Sequence, residues 1–170
     1  MEFEKLYQEL ANGRDILRAL VSGVTQAEAQ VKPSPQSWSI FEVVCHLYDE
    51  ERDDFREHLD MILNRPNDEW KRLDQQKWVT PAQQYHERSL SEMLDSFTAE
   101  RNQSLEWLRG LSSANWDAVY TTPFRSMTAG DMFASWVAHD HLHMRQLVEL
   151  RRARLLTLAA PYNVEYAGDW

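Results

Sequence analysis

Two histidines one helical turn apart are the first sign of chemistry in this sequence. His139 and His143 stand where an apolar stripe on one helix face should continue. The rest of that stripe is Met132, Trp136, Leu147 and Leu150. Residues four apart differ by about 40° around a helix axis and about 6 Å along it, so both imidazoles can bind one metal ion. His141 is rotated by about 200° and faces away. Such a pair also occurs as solvated or buried, hydrogen-bonded residues, so a metal site needs a third ligand.

His46 is the strongest candidate for the third ligand. It lies in the most apolar part of its helix, residues 40–48, where an imidazole without a partner would be costly to bury. On residue type alone, a buried histidine bonded to a backbone or carboxylate oxygen is the commoner case. The combination with the histidine pair favours a metal site instead. His58 and His86 have charged or loop-like surroundings, and we expect both to be solvated at the surface.

Three neutral imidazoles from two helices would make an open site of the kind that catalytic zinc uses, with at least one position left for water. Nickel, iron or manganese would also accept these ligands. The sequence therefore predicts a divalent metal ion, with zinc or nickel as first choices, held by His46, His139 and His143. Cys45 points about 100° away from its neighbour His46 and is expected in the core.

Several other residues interrupt the expected patterns and could support the site. Glu50 and Asp140 could each accept a hydrogen bond from a ligating imidazole, or could be solvated helix charges. Gln146 could contact a ligand or remain a surface amide. Arg101 interrupts an apolar stripe and needs either a structural carboxylate partner or an anionic ligand. Gly13 interrupts another stripe and leaves room for substrate or for close helix packing.

Four amphipathic helices must position these residues. The predicted spans are about 2–24, 39–63, 90–108 and 128–150. Ser39 with Glu42, and Thr128 with Asp131, have the spacing of capping boxes. All six prolines lie outside the strongly periodic stretches, and no alternating pattern indicates strands. The sequence therefore predicts an all-α protein with a four-helix bundle.

The segments between these helices leave the topology open. The linkers 25–38 and 110–127 are long enough to cross an end of the bundle, so a simple up-down-up-down order is not assured. Thr80–Pro81 could open a further short helical turn. The tail after Pro161 carries three aromatic residues, and we expect it to dock on the bundle or on a partner. We find no repeat and predict a single domain over residues 1–170.

Composition excludes several classes of partner. Asp and Glu number 27 against 18 Lys and Arg, giving a net charge of -9, which disfavours binding to nucleic acid or anionic lipid. The single cysteine cannot form an internal disulfide, and no signal sequence or apolar stretch of 18 residues is present. We therefore expect a cytoplasmic protein that does not enter membranes.

Two short motifs resemble the DinB-like superfamily. They are Trp38-Ser39-Ile40 followed by Glu42 and His46-Leu47, and His139-Asp140-x-x-His143-x-x-Gln146. The closing residues 166–170 are also similar to tails in that family. The resemblance implies a bundle of up-down-down-up topology, a homodimer, and a divalent metal on His46, His139 and His143. It further implies a small-molecule substrate, because relatives include transferases and isomerases that use a low-molecular-weight thiol, bacillithiol or mycothiol, and metal-dependent hydrolases.

Two functions follow as hypotheses. In the first, the protein is a metal-dependent enzyme whose ion either generates hydroxide for hydrolysis or holds a thiol as thiolate for transfer. In the second, it is a non-catalytic, stress-related dimeric interaction protein with a structural metal or none. Three histidines without a fourth protein ligand count against a closed structural site. The sequence identifies no general base.

Overall fold

The computed structural model describes residues 1–70, 85–121 and 126–168. Within these ranges, four long helical segments form the bundle, and short elements lie between and after them. In chain order the elements are α1 (Phe3–Val21), α2 (Gln26–Ala29), α3 (Ile40–Glu50), a π-helical turn (Glu51–Phe55), α4 (Arg56–Asn64), α5 (Leu90–Arg109), β1 (Val119–Thr121), β2 (Ser126–Thr128), α6 (Ala129–Ala159) and a 3₁₀ turn (Glu165–Ala167). The predicted second helix is thus α3, the π turn and α4 in succession, called here the α3–α4 segment.

Side-chain caps set where the helices begin. The predicted capping boxes at Ser39 and Thr128 are both present at the starts of α3 and α6. Ser89 and Thr25 form the same motif at the starts of α5 and α2. In each box the hydroxyl accepts a hydrogen bond from a backbone N–H that the first helical turn cannot satisfy. These caps fix where α2, α3, α5 and α6 begin.

Contacts between helices define the direction of each one. Four contacts orient α1: Phe3–Phe133 and Leu20–Arg151 with α6, and Arg14–Asn102 and Arg18–Asp95 with α5. The first two make α6 parallel to α1, and the last two make α5 antiparallel to it. The α3–α4 segment runs antiparallel to α6, because His46 lies beside His143 whereas Phe55 stacks on Trp136. The order is therefore up-down-down-up, which confirms the expected bundle.

The linkers contain more structure than expected. The first holds α2, and the last holds the antiparallel hairpin β1–β2, in which Tyr120 pairs with Met127. Three residues per strand are too few to show an alternating pattern in the sequence. The Tyr120 hydroxyl donates a hydrogen bond of 2.6 Å to the backbone oxygen of Asp68. The hairpin is thereby tied to the chain that follows α4. The possible turn at Thr80–Pro81 lies outside the described residues.

The apolar interior is divided into two clusters. The first includes Leu17, Val43, Phe97 and Leu147, and the second includes Leu10, Phe55, Leu105 and Trp136. Buried polar residues lie at the intervening levels of the same helices, among them His46, Glu51, Arg101, Asp140 and His143. A layer of buried polar groups between two apolar clusters needs internal partners, because each unpaired group would cost free energy of folding.

Helix α6 extends nine residues beyond Leu150 and is the longest helix described. In the described ranges, no helix has both the length and the apolarity that a membrane crossing requires. Past its end, the side chains of Tyr162 and Tyr166 are exposed and do not pack on the bundle, so docking of these two residues on a partner stays a prediction. Trp170 lies outside the described residues.

Candidate metal centre

Three histidine rings meet in the polar layer between the two apolar clusters. The Nε2 atom of His139 lies 3.3 Å from Nε2 of His46 and 3.1 Å from Nε2 of His143. The three ligand nitrogens all lie within 4.8 Å of one another. Two Zn–N bonds of about 2.0–2.1 Å at a tetrahedral angle place their nitrogens about 3.3 Å apart. The group therefore fits a divalent metal ion.

Two antiparallel elements bring these rings together. His46 lies on α3, and His139 and His143 lie one turn apart on α6, on the face that the apolar stripe predicted. His141, between them in sequence, is exposed and lies 3.5 Å from the carboxylate of Glu9. The periodicity of α6 thus separated the inward histidines from the outward one correctly.

Burial keeps the three imidazoles neutral. His46 and His143 are only 6% and 5% exposed, and His139 is half-buried. Burial, reinforced by the neighbouring imidazoles, lowers the pKa of His46 to about 2 and that of His139 to about 3. Burial also lowers the pKa of His143. Neutral imidazole is the form that binds metals, so the rings are ready for an ion at neutral pH.

Hydrogen bonds from neighbouring side chains orient the rings. The Nδ1–H of His143 donates to Oε1 of Gln146 over 2.8 Å, which leaves the Nε2 lone pair facing the other rings. Nδ1 of His46 lies 3.7 Å from Oε1 of Glu50. Glu50 is only 4% exposed, so it is not the solvated charge that it could have been. Burial and the carboxyl group of Asp54 raise the pKa of Glu50 to about 9.

Aromatic side chains enclose the histidines. The Trp38 ring lies nearly parallel to His143 with centroids 6.2 Å apart, and meets His46 edge-on at 4.8 Å. Phe55 packs against His139 with centroids 5.0 Å apart. These contacts restrict ring rotation and lower the local dielectric around the nitrogen atoms.

Arg101 and Asp140 form a structural ion pair behind the site. The guanidinium donates to both carboxylate oxygens of Asp140 at 2.6 and 2.9 Å, and lies 2.9 Å from Glu51. It also donates to the backbone oxygen of Leu10 at 3.0 Å. Burial alone would lower the pKa of Arg101, but the negative charges of Glu51 and Asp140 have the larger effect and raise it. Arg101 therefore has the carboxylate partner that the sequence allowed, and Asp140 orients Arg101 rather than a histidine.

The alternatives for Gly13 are also resolved. A Cβ atom at this position would lie 2.5 Å from Oδ2 of Asp140. The missing side chain therefore makes room for the Asp140–Arg101 pair at a close contact between α1 and α6, and not for substrate.

His58 is buried, so the prediction that it is solvated at the surface is wrong. Its Nδ1–H donates to the Asp54 carboxylate, and its ring stacks on Trp70 with centroids 4.0 Å apart. The available signal was its spacing from Phe55 and Ile62, which are three and four residues away on the buried face of the α3–α4 segment. His86 is exposed, as expected, and Cys45 is buried in the core.

A cleft of about 670 Å³ opens beside His143, between α6 and the chain that precedes α3. Trp38 and Gln146, which contact His143, both line it. A small molecule in this cleft would lie next to the histidine cluster.

Known proteins share this fold. A solved structure of YfiT from Bacillus subtilis superposes with a TM-score of 0.75, is 19% identical, and covers 89% of this chain and 86% of its own. That protein is described as "a probable metal-dependent hydrolase with an unusual four-helix bundle topology". No curated protein sequence matches significantly. The family model of the DinB superfamily matches residues 9–147, a span that includes all three histidines. The chain belongs to the DinB superfamily.

Proposed function

We propose that His46, His139 and His143 bind a divalent metal ion, zinc or nickel, and that the protein is a metal-dependent hydrolase of small molecules. The observation that carries the proposal is the cluster of three imidazole rings, whose Nε2 atoms are spaced as the ligands of one ion. The cluster lies beside an open cleft. The description of YfiT as a probable metal-dependent hydrolase adds support from a protein of the same fold.

The number of ligands favours a catalytic ion over a structural one. Among the described residues, the group of side chains that could hold an ion consists of these three histidines. Structural zinc sites normally use four protein ligands, whereas catalytic sites use three and keep one position open. A divalent ion in such a site acts as a Lewis acid and lowers the pKa of water from about 15.7 toward about 7.

The protein's own residues would supply orientation and shielding. Gln146 holds His143 in the tautomer whose Nε2 can bind the ion, and Glu50 lies beside the outer nitrogen of His46. Trp38 and Phe55 cover the histidine rings and limit access of water from the sides that they occupy. Of the three histidines, His143 lines the cleft.

Metal analysis of two matched variants tests the site. We expect about one zinc or nickel ion per chain in the reconstituted protein, loss of that ion in His139→Ala, and retention in His141→Ala. His141 is a suitable control because it lies on the same helix but faces solvent. Absence of metal after reconstitution, or equal loss in both variants, would refute the proposal.

Turnover assays then separate the functional classes. A panel of small esters, amides and lactones is assayed with the loaded protein, with and without added thiol. Hydrolysis that needs no thiol and is lost in His139→Ala supports a hydrolase. A strict requirement for the thiol, with its incorporation into product, would indicate a transferase. Equal turnover by wild type and His139→Ala would refute a metal-dependent enzyme, and turnover no higher than background would indicate a non-catalytic protein.

A further inference from the structure

The cleft beside the histidine cluster has the size of a small-molecule site. Its volume of about 670 Å³ lies within the usual range of about 300–1,000 Å³ for ligand pockets. One wall follows α6 from Leu142 to Ala153, a length of about 16 Å. The opposite wall comes from the chain between Pro33 and Trp38.

Trp38 connects this cleft with the histidines. Its indole ring packs against two of them and also forms part of the cleft lining. Pro33, Leu150 and Ala153 add apolar surface to the same cleft. If the reacting end of a bound substrate lay at the histidines, the part of the substrate in the cleft would contact the Trp38 ring first and the aliphatic side chains beyond it.

The charges of the cleft are balanced. Arg145 and Glu149 are its charged lining residues in the described part of the chain, and their side chains form an ion pair of 3.2 Å. Gln146 accepts a hydrogen bond from His143 through Oε1, and the same carboxamide carries two N–H donors. A neutral group with a hydrogen-bond acceptor matches this lining better than a strongly charged group does.

We propose that the cleft binds a neutral substrate whose flat apolar group packs against Trp38, so that Trp38 determines specificity for aromatic over short aliphatic acyl groups. This inference rests on the proposed function, because the substrate's reacting end must lie at the metal. It adds the chemical class of the substrate and the residue that selects it.

A pair of hydroxamates tests the inference without a known substrate. Benzohydroxamate and acetohydroxamate carry the same metal-binding group and differ in the phenyl ring, so the ratio of their dissociation constants isolates the cleft contact. With zinc-loaded wild type, titration calorimetry should show benzohydroxamate binding about tenfold more tightly. Trp38→Leu should reduce that ratio by about three- to tenfold, and Trp38→Phe should keep most of it.

Trp107→Ala serves as a control, because Trp107 does not line the cleft and packs against the second apolar cluster, which contains Leu105 and Trp136. It should leave the ratio unchanged. A weaker metal site in a Trp38 variant would affect both hydroxamates alike and would not change the ratio. Equal binding of the two compounds to wild type, or an unchanged ratio in Trp38→Leu, overturns the inference and leaves the proposed function standing. If neither compound binds protein that carries zinc, the open coordination position is absent and both proposals fail.

Discussion

The carboxylate of Asp140 lies in the space that a side chain at Gly13 would occupy, 2.5 Å from the position of a Cβ atom. Asp140 cannot move aside freely, because both of its oxygens accept hydrogen bonds from the buried Arg101. The close contact of α1 with α6 and the ion pair therefore depend on each other.

Gly13→Ala should destabilise the protein although alanine favours helix. The added methyl group must displace Asp140, and the overpacking cost of about 1–3 kcal/mol should outweigh the gain of about 0.5–1 kcal/mol in helix propensity. Urea denaturation measures the difference. Gly110→Ala is the control, since its Cβ would meet its nearest atom, the Trp107 backbone oxygen, at 3.4 Å. Equal stability changes in the two variants would contradict the account.

Arg101→Met should cost about 3–5 kcal/mol of unfolding free energy, because it leaves Glu51 and Asp140 buried without their cation. The comparison is Arg65→Met, which removes an arginine from solvent-exposed ion pairs and should have a small effect on stability. Denaturant unfolding of both variants and of wild type measures the two losses of stability. Similar losses would show that the buried pair has no special role.

Gln146→Leu should weaken metal binding by about 10- to 100-fold, because His143 loses the acceptor that fixes its tautomer. Gln146→Glu retains an acceptor oxygen and should bind metal more tightly than the leucine variant. Competition with a chromophoric chelator gives both affinities. Wild-type affinity in Gln146→Leu would mean that aromatic packing alone orients the ring.

Glu28 should make the link between α2 and α6 sensitive to acid. Hydrogen bonds from the Thr25 backbone and from Arg154 lower the pKa of Glu28 from 4.5 to about 2. A lowered folded-state pKa stabilises the protein fully above the unfolded value, and this stabilisation is lost as the pH falls from about 4.5 toward 2.

Glu28→Gln should therefore be destabilising at pH 7, and its difference from wild type should shrink below pH 4.5. Urea denaturation at pH 7, 4 and 3 measures that difference. Glu106→Gln, which breaks an exposed pair within α5, should have a small effect throughout. A difference that stays constant with pH in Glu28→Gln would disprove the link.

The helices and the inward histidines could be predicted because they depend on local chemistry. The caps at Ser39 and Thr128 need only residues three positions away. The inward orientation of His139 and His143 follows from their positions on the apolar stripe of the helix.

The partners of buried charges could not be predicted in the same way. Glu50, Asp140 and His58 look like surface residues in the sequence, and their burial depends on helices that meet them from elsewhere in the chain. The pairing of Arg101 with Asp140 joins residues 39 positions apart. Such pairings become visible only when the order and direction of the helices are known.

The π-helical turn at Glu51–Phe55 also left no recognisable mark in the sequence. A turn of this kind accommodates one residue more than a regular α-helical turn. Because the wide turn takes up that extra residue, removing it would leave a regular α-helical turn and would change the rotation of α4 relative to His46 only slightly. The π turn thus holds one additional residue between α3 and α4, while His46 remains at the metal centre and Leu59 and Ile62 of α4 remain in the second apolar cluster.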